Sequence, residues 1–213
     1  MTMMRLGLLA SHGGSNLQAV LDACADGTIS ARPAVVITNN SKSRAAERAQ
    51  QAGVNTVHLS SSTHPDPDEL DAAILGALTQ NSVDLIALAG YMKRLGPKTI
   101  STYRGLIVNI HPGLLPKYGG QGMYGERVHQ AVLDSGDTES GATVHLVDEQ
   151  YDHGSILAQV RVPVLPDDTV DSLAARVLQQ EHTLYVRTLK LLAEGLAQGL
   201  AQIENRADTS GAK

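Results

Sequence analysis

The feature that most constrains the fold is a regular alternation of short apolar runs and helical patterns over the first half of the chain. The runs are rich in Leu, Ile, Val and Ala, which favours buried strands. The segments between them repeat apolar residues at the spacing of an amphipathic helix. The predicted strands are Arg5–Ala10, Ala34–Thr38, Val54–Leu59, Asp84–Ala89 and a run from Gly105–Val108 that ends near Pro112. The predicted helices are Leu17–Ala25, Ser43–Ala52, Asp68–Thr79 and Pro97–Tyr103.

Strands that alternate with helices imply right-handed βαβ units, so we predict an α/β fold with a doubly wound, mostly parallel sheet. The second half has a different pattern, because glycines crowd the segment Gly113–Gly125 and predict a loop. A helix, a connected pair of strands that extends the sheet antiparallel, and a long C-terminal helix are expected to follow. Their predicted bounds are Glu126–Leu133, Ala142–Val147, Ile156–Val164 and Val170 to about Leu196. We expect residues 1–199 to form a single domain and residues 200–213 to form a polar, frayed tail.

Composition narrows the class of protein. The 213 residues are 42% apolar and 18% charged, which is typical of a globular protein large enough to bury a core. The net charge of -5, with no basic run, argues against nucleic-acid binding. The lone Cys24 permits no internal disulfide and favours a cytoplasmic setting, where we expect it to pack in a helix. No apolar run approaches the ~20 residues that span a bilayer, and a strand follows Met1–Met4 too closely for a signal peptide.

Asn109 and His111 are candidate catalytic residues at the C-terminal end of the fifth predicted strand. Pro112 cannot donate a hydrogen bond to a sheet, so the strand should end there. Two residues apart, the side chains lie on the same side of the pleat. An amide donor beside an imidazole that can carry a proton suits an oxyanion intermediate. Alternatively, Asn109 caps a turn and His111 is a structural histidine.

The turn from Ser11 to Asn16 is a candidate anion site. Gly13 and Gly14 permit close approach of a ligand to the backbone, and Ser15 and Asn16 fall where a helix N-terminus offers free N–H groups. The turn is neither G-x-G-x-x-G nor a Walker loop, which argues against a dinucleotide or nucleoside triphosphate. Alternatively, it is one of the many βα turns that bind nothing.

Several motifs, in one order, resemble phosphoribosylglycinamide formyltransferases, which are folate-dependent enzymes of purine synthesis. The resemblance runs from about Arg5 to about Leu196 and implies the Rossmann-like formyltransferase fold. The motifs are Gly14-Ser15-Asn16-Leu17-Gln18-Ala19, Leu88-Ala89-Gly90-Tyr91-Met92, Asn109-Ile110-His111-Pro112-Gly113-Leu114-Leu115-Pro116-Lys117-Tyr118, Gly141-Ala142-Thr143-Val144-His145, the turn at Asp152, and Gln180-Glu181-His182.

The resemblance implies transfer of a formyl group from 10-formyltetrahydrofolate to the amine of glycinamide ribonucleotide. Asn109, His111 and Asp152 match the catalytic residues of the family. Asn109 and protonated His111 would donate to the developing oxyanion, while Asp152 would favour the charged imidazole and help proton transfer. Read without the resemblance, Asp152 is a turn-forming aspartate before Gly154.

The resemblance also implies two binding regions. The substrate phosphate would lie on Gly14, Ser15 and Asn16, with Glu181 on the ribose hydroxyls; otherwise Glu181 is a solvated helix charge. The folate would lie between the turn Met92–Leu95 and the loop Val147–Asp152. His145 would support the site near the catalytic residues. The residues expected to contact the folate are Met92, Lys93, Arg94, Leu95, Asn109, Val147 and Asp152. We expect no metal, because the histidines lack carboxylate or cysteine partners at ligand spacing.

Two departures from the family pattern and three alternatives remain open. His153 stands where the family often has glycine, and the Gly119–Gly125 loop differs from many members and could alter substrate contacts. The alternatives are a formyltetrahydrofolate hydrolase (deformylase), another folate-dependent formyltransferase such as the methionyl-tRNA enzyme, and a non-catalytic relative. Small-molecule substrates are the expected partners, and both a monomer and a homodimer are compatible with the sequence.

Overall fold

The computed structural model describes the backbone of residues 3–210 and the side chains of residues 3–196. The strands in this range are β1 (Met4–Ala10), β2 (Ala31–Thr38), β3 (Thr56–His58), β4 (Leu85–Leu88), β5 (Ile107–His111), β6 (Glu139–Leu146) and β7 (Ile156–Pro163). The helices are α1 (Ser15–Ala25), α2 (Arg44–Gln51), α3 (Pro67–Gln80), α4 (Pro97–Thr102), α5 (Glu126–Ser135) and α6 (Val170–Ser210).

The strands form one mixed sheet in the order β3-β2-β1-β4-β5-β6-β7. Strands β1 to β5 pair in parallel, and β6 and β7 extend the sheet as an antiparallel hairpin beside β5. This confirms the predicted doubly wound α/β class. The chain runs outward from β1 to β3 and then crosses to β4, so the strand order switches between β1 and β4. Ligands of such sheets bind beyond the carboxyl ends of the strands at this point.

The core has two parts because apolar side chains project from both faces of the central strands. Leu8, Val36 and Val108 face one cluster, which α1, α2, α5 and α6 cover. Leu9 and Ile86 face the other, which α3 and α4 cover. Buried parallel strands therefore appear in the sequence as continuous apolar runs rather than alternating ones. Cys24 packs against the first cluster, as expected, and burial raises the pKa of its thiol to about 11.

Several predicted strand limits are wrong for identifiable reasons. β2 begins at Ala31 rather than Ala34, because Pro33 is accommodated beside an irregularity in the ladder where Leu6 pairs with Pro33 and Gly7 with Val35. β5 begins at Ile107 rather than Gly105, because Gly105 has a φ of +76° and belongs to a turn. β3 is limited to Thr56–His58, and β6 starts earlier, at Glu139.

The long C-terminal helix does not end near Leu196. α6 continues to Ser210, and Gly199 does not stop it. Between Leu196 and Ser210 the sequence holds three alanines and two glutamines, which are good helix formers, while one glycine costs a helix only ~1 kcal/mol. The side chains of the predicted polar tail, residues 200–213, lie outside the described residues, so the frayed tail stays a prediction.

Candidate active site

A cavity of about 690 Å³ opens at the carboxyl ends of β4 and β5, next to the strand-order switch. Most of the predicted site residues line this one cavity, although they come from five separate parts of the chain. They are Asn16, Met92, Lys93, Arg94, Leu95, Asn109, His111, Val147, Asp152 and Glu181. Gly14 and Ser15 stand just before Asn16, at the turn that leads into the lining.

His111 ends β5 and is buried, with only 3% of its surface exposed. Its Nε2 lies 2.7 Å from the carbonyl oxygen of Tyr118. A carbonyl can only accept, so Nε2 carries the proton and Nδ1 is the free nitrogen of the neutral ring. Nδ1 lies 3.7 Å from Asp152 Oδ2. The imidazole can therefore gain a proton only on the side that faces this carboxylate.

The pKa of His111 is lowered by burial, which outweighs the opposing influence of Asp152 and of the Tyr118 carbonyl. His145 lowers it further. The expectation that Asp152 favours the charged imidazole is correct in direction, but it does not decide the net shift. A buried imidazolium loses more solvation than one carboxylate at 3.7 Å restores.

Asn109 points towards His145 across the antiparallel β5–β6 ladder, where the two residues are register partners. His145 Nδ1 donates to the Leu146 carbonyl over 2.8 Å, so its Nε2 accepts when the ring is neutral. Asn109 Nδ2 lies 3.1 Å from that nitrogen. Burial lowers the pKa of His145, which favours the neutral ring. His145 therefore fixes which way the Asn109 amide faces, in keeping with the supporting role expected for it.

Asp152 has a backbone φ of +58°, a left-handed conformation that costs a non-glycine residue on the order of 1–3 kcal/mol. Contacts on several sides hold it there. Its Oδ2 accepts a hydrogen bond from the Gly120 N–H at 2.9 Å, and its Oδ1 lies 3.5 Å from His145 Nε2. Gly154 follows with no space for a side chain, since a Cβ there would lie 1.8 Å from the Leu146 carbonyl oxygen. This strained turn aims the carboxylate at the two histidines.

The predicted anion turn has the conformation of a free helix N-terminus. Gly14 is the residue before α1, has a φ of +69° and provides no side-chain cap, so N–H groups of the first turn of α1 remain available. Asn16 Nδ2 donates to Glu181 Oε2 over 2.6 Å. Glu181 is buried and is not a solvated helix charge. Burial raises its pKa, and the Asn16 hydrogen bond opposes that rise.

The turn predicted to hold folate faces the loop predicted to close over it. The backbone N–H of Met92 donates to Ser11 Oγ over 2.7 Å, which ties the turn to the end of β1. Arg94 lies over the Tyr151 ring at 5.8 Å and donates to the Glu149 carbonyl. Leu95 and Val147 add apolar surface to the cavity. The turn and the loop are therefore in contact through Arg94.

Sequence reasoning missed the groups that hold the catalytic candidates in place. The Tyr118 carbonyl and the Gly120 N–H are backbone groups, so no side-chain motif marks them. It also missed His129, which lines the cavity and whose pKa is lowered by burial and by His111. The glycine-rich segment was the available signal, because residues 120–125 prove to line the cavity.

Two further properties concern cofactors and membranes. Among the described residues, no three His, Cys, Asp or Glu side chains are grouped so that they could hold a metal ion. Within the same residues, no helix combines the length and the apolarity needed to cross a membrane.

Comparison with known proteins gives one consistent result. The model of the formyl transferase family matches residues 4–189. Phosphoribosylglycinamide formyltransferase of Haemophilus influenzae is 39% identical over 208 residues, which cover 96% of each chain. The Escherichia coli protein of the same name is 37% identical, over 90% of this chain and 88% of its own. The crystal structure of glycinamide ribonucleotide transformylase 1 from Symbiobacterium toebii superposes with a TM-score of 0.85 at 40% identity, covering 91% of this chain and 89% of that one. The chain belongs to the formyl transferase family.

Proposed function

We propose that this chain transfers the formyl group of 10-formyltetrahydrofolate to the primary amine of glycinamide ribonucleotide, a step of purine biosynthesis. The observation that carries the proposal is the convergence of Asn109, His111 and Asp152 on a cavity that is also lined by Asn16 of the anion turn. Relatives named phosphoribosylglycinamide formyltransferase share nearly the full length of the chain.

Asn109 and His111 would stabilise the oxyanion. When the amine attacks the formyl carbon, a C–N bond forms and the carbonyl electron pair moves onto oxygen. Asn109 has two amide hydrogens, of which His145 occupies one, so the second is free for this oxygen. Burial lowers the pKa of His111, and the negative charge that develops beside the ring opposes this and favours protonation at Nδ1. Donors held in place beforehand need little reorganisation when the charge appears.

Asp152 would carry the proton. The attacking amine must lose a proton, and the folate nitrogen must gain one when its bond to the formyl carbon breaks. Asp152 is largely buried but its side chain keeps 12% exposure at the cavity wall, so it can pass this proton directly or through a water molecule. Its two oxygens face His111 and His145, which couples proton transfer to the charge of the imidazole.

The phosphate, the ribose and the folate would each contact a different group of residues. The phosphate would lie on the N–H groups at Gly14, Ser15 and Asn16, where the helix dipole favours an anion. Glu181, which is linked to this turn through Asn16, would accept from the ribose hydroxyls. The folate would lie between the residue 92–95 turn and the loop 147–152, against Leu95 and Val147. Asn109 and Asp152 would face its formyl group.

One assay separates the candidate functions. Purified protein is incubated with 10-formyltetrahydrofolate, first with glycinamide ribonucleotide and then without any acceptor. We expect a formylated ribonucleotide in the first reaction and negligible formate in the second. Formate released without acceptor would identify a hydrolase, and formylation of methionyl-tRNA instead would identify another transferase. The absence of turnover in all three would identify a non-catalytic relative.

The cellular setting belongs to the same proposal. We place the reaction in the cytoplasm, because the lone Cys24 suits a reducing compartment and both substrates are small polar molecules. Fractionation of cells that produce the chain, with activity followed in each fraction, tests this placement. Activity confined to a membrane or secreted fraction would contradict it.

A further inference from the structure

Three consecutive residues, Tyr118 to Gly120, contact both sides of the proposed catalytic pair, and we name them the clamp segment. The Tyr118 carbonyl accepts from His111 Nε2 over 2.7 Å. The Gly120 N–H donates to Asp152 Oδ2 over 2.9 Å. Both contacts come from the backbone, so the position of this short segment determines how His111 and Asp152 face each other.

The clamp segment packs too closely against Asp152 to shift freely. A Cβ at Gly119 would lie 2.4 Å from Leu115 Cδ2 and 3.0 Å from Asp152 Cβ. Gly120 has a φ of +100°, which other residues rarely adopt. Gly119 and Gly120 give this segment its shape, but neither has a side chain that could hold it. Something else must hold the segment in place.

The Tyr118 side chain provides that anchor. Its ring is buried, and its hydroxyl donates to Asp137 Oδ2 over 2.5 Å and lies 2.7 Å from Ser135 Oγ. Ser135 ends α5, and Asp137 follows the helix by two residues. Lys117 Nζ pairs with the same Asp137 oxygen. The clamp segment is thereby fixed to the end of a helix that packs in the core.

The anchor matters because two acceptors compete for the single proton of neutral His111. The Tyr118 carbonyl faces Nε2 at 2.7 Å, and Asp152 Oδ2 faces Nδ1 at 3.7 Å. If the carbonyl moved away, the proton would favour Nδ1, where it can bond the carboxylate. The ring would then present the wrong tautomer and would occupy the carboxylate needed for proton transfer.

We propose that Tyr118 is a positioning residue for formyl transfer, a role that rests on the proposed function. Its hydroxyl, held by Asp137 and Ser135, keeps the clamp segment where the Tyr118 carbonyl confines the proton of neutral His111 to Nε2. Nδ1 is thereby kept free to take a proton beside Asp152. Tyr118 acts through its own carbonyl and does not contact the reacting atoms.

Tyr118→Phe tests the role because it removes the anchoring hydroxyl and keeps the buried ring. Asp137→Ala removes the anchor from the other side, so the test does not depend on one variant folding. Tyr103→Phe is the matched control: this buried tyrosine packs in the core on the opposite face of the sheet. In each protein, ¹⁵N NMR of the histidine side chains reports the His111 tautomer, and steady-state kinetics give kcat and KM.

We expect both anchor variants to gain the Nδ1–H tautomer of His111. We also expect kcat to fall by roughly tenfold or more, since misplacement by ~1 Å can cost 10²-fold. KM should change little, because the anchor makes no ligand contact. The control should match the wild type. An unchanged tautomer in both anchor variants overturns the proposal, whatever happens to kcat. A wild type without transferase activity would refute the proposed function, while the NMR measurement would still decide the role of the anchor.

Discussion

Asn109 Nδ2 lies 3.1 Å from His145 Nε2, across the ladder that joins β5 to β6. The contact assigns the amide its orientation, because His145 Nδ1 already donates to the Leu146 carbonyl and leaves Nε2 as the acceptor. Among the three candidate catalytic residues, Asn109 is consequently the one whose hydrogen-bond donor is oriented by another side chain. Its free amide hydrogen should be placed before any substrate arrives.

Removing any one of the proposed catalytic side chains should slow turnover sharply without unfolding the protein. For Asn109→Ala we expect kcat to fall by about 10²–10³, the usual cost of losing one oxyanion donor. Steep losses are also expected for His111→Ala and Asp152→Ala. Steady-state kinetics and thermal unfolding measure the two effects separately. Near-normal turnover in all three variants would contradict the catalytic assignment.

The pH profile should depend on Asp152 through His111. We expect a bell-shaped rate profile, because the amine must be neutral while the imidazole gains a proton. Asp152 opposes the lowering of the His111 pKa by burial, so Asp152→Asn should lower that pKa further. The limb that reports His111 should then move to lower pH in single-turnover measurements. NMR titration of the ring follows the same change directly.

Asp148→Asn is the matched control for this prediction. Asp148 lies in the same loop, but its charge acts on the pKa of His145 and is not among the influences on His111. The control should leave the His111 limb in place. An unmoved limb in Asp152→Asn would show that the two groups are uncoupled and that another group carries the proton.

The anion turn should discriminate between the two substrates. Asn16→Ala keeps the backbone N–H groups of the turn but removes the side-chain donor that holds Glu181. We therefore expect KM for the ribonucleotide to rise by roughly 10- to 100-fold, the range for the loss of one hydrogen bond to a charged group. KM for the formyl donor should stay close to the wild-type value. A similar rise in both KM values would mean that the turn is structural. Gly14→Val is a poorer test, because a Cβ there would lie 2.8 Å from Ala45 Cα at a φ of +69° and should destabilise the fold.

Glu181→Gln should make the protein more stable than the wild type, and this difference in the free energy of unfolding should grow as the pH rises. Burial raises the pKa of Glu181 in the folded state, so folding favours the protonated carboxyl and the free energy of unfolding falls as pH rises through that pKa. Glutamine keeps an acceptor for Asn16 and does not ionise. Its stability advantage in urea unfolding should therefore be small below the unfolded pKa of ~4.3 and should grow above it.

The control for the stability test is Glu194→Gln, an exposed glutamate on the same helix. It should show no comparable dependence on pH. The same Glu181→Gln protein should show a raised KM for the ribonucleotide if the carboxylate accepts from the ribose hydroxyls. A stability difference that is constant from pH 4 to 8 would contradict the assignment of a destabilising buried charge.

The sequence predicted the central sheet well because burial on both faces leaves a simple pattern. β4 is a continuous apolar run, β1 is one after Arg5, and β5 starts as one at Ile107 and Val108. Tertiary packing agrees with local preference there. The limits were wrong where a single residue gave a misleading signal. β2 starts at Ala31, before Pro33, although proline is rare inside strands, and α6 passes Gly199, although glycine disfavours a helix. Both effects are small enough for neighbouring residues to override.

The candidate site was predictable only as far as side chains define it. Asn109 and His111 follow from the strand end, whereas the distance between His111 and Asp152 depends on the backbone of Tyr118 and Gly120. The sign of the His111 pKa shift also could not be read from the sequence. It depends on how completely the folded chain removes the ring from water, and the identity of its neighbours does not reveal this.

The hydrogen bond between Asn16 and Glu181 joins residues that are 165 positions apart. A ribosome builds the chain from the N-terminus, so it makes Asn16 well before it makes the partner of that side chain. The nascent chain can therefore build its parallel sheet while the proposed ribonucleotide pocket still lacks Glu181. Binding of that substrate would become possible only when α6 emerges and docks, so the nascent chain should acquire the ligand only after its parallel sheet has formed.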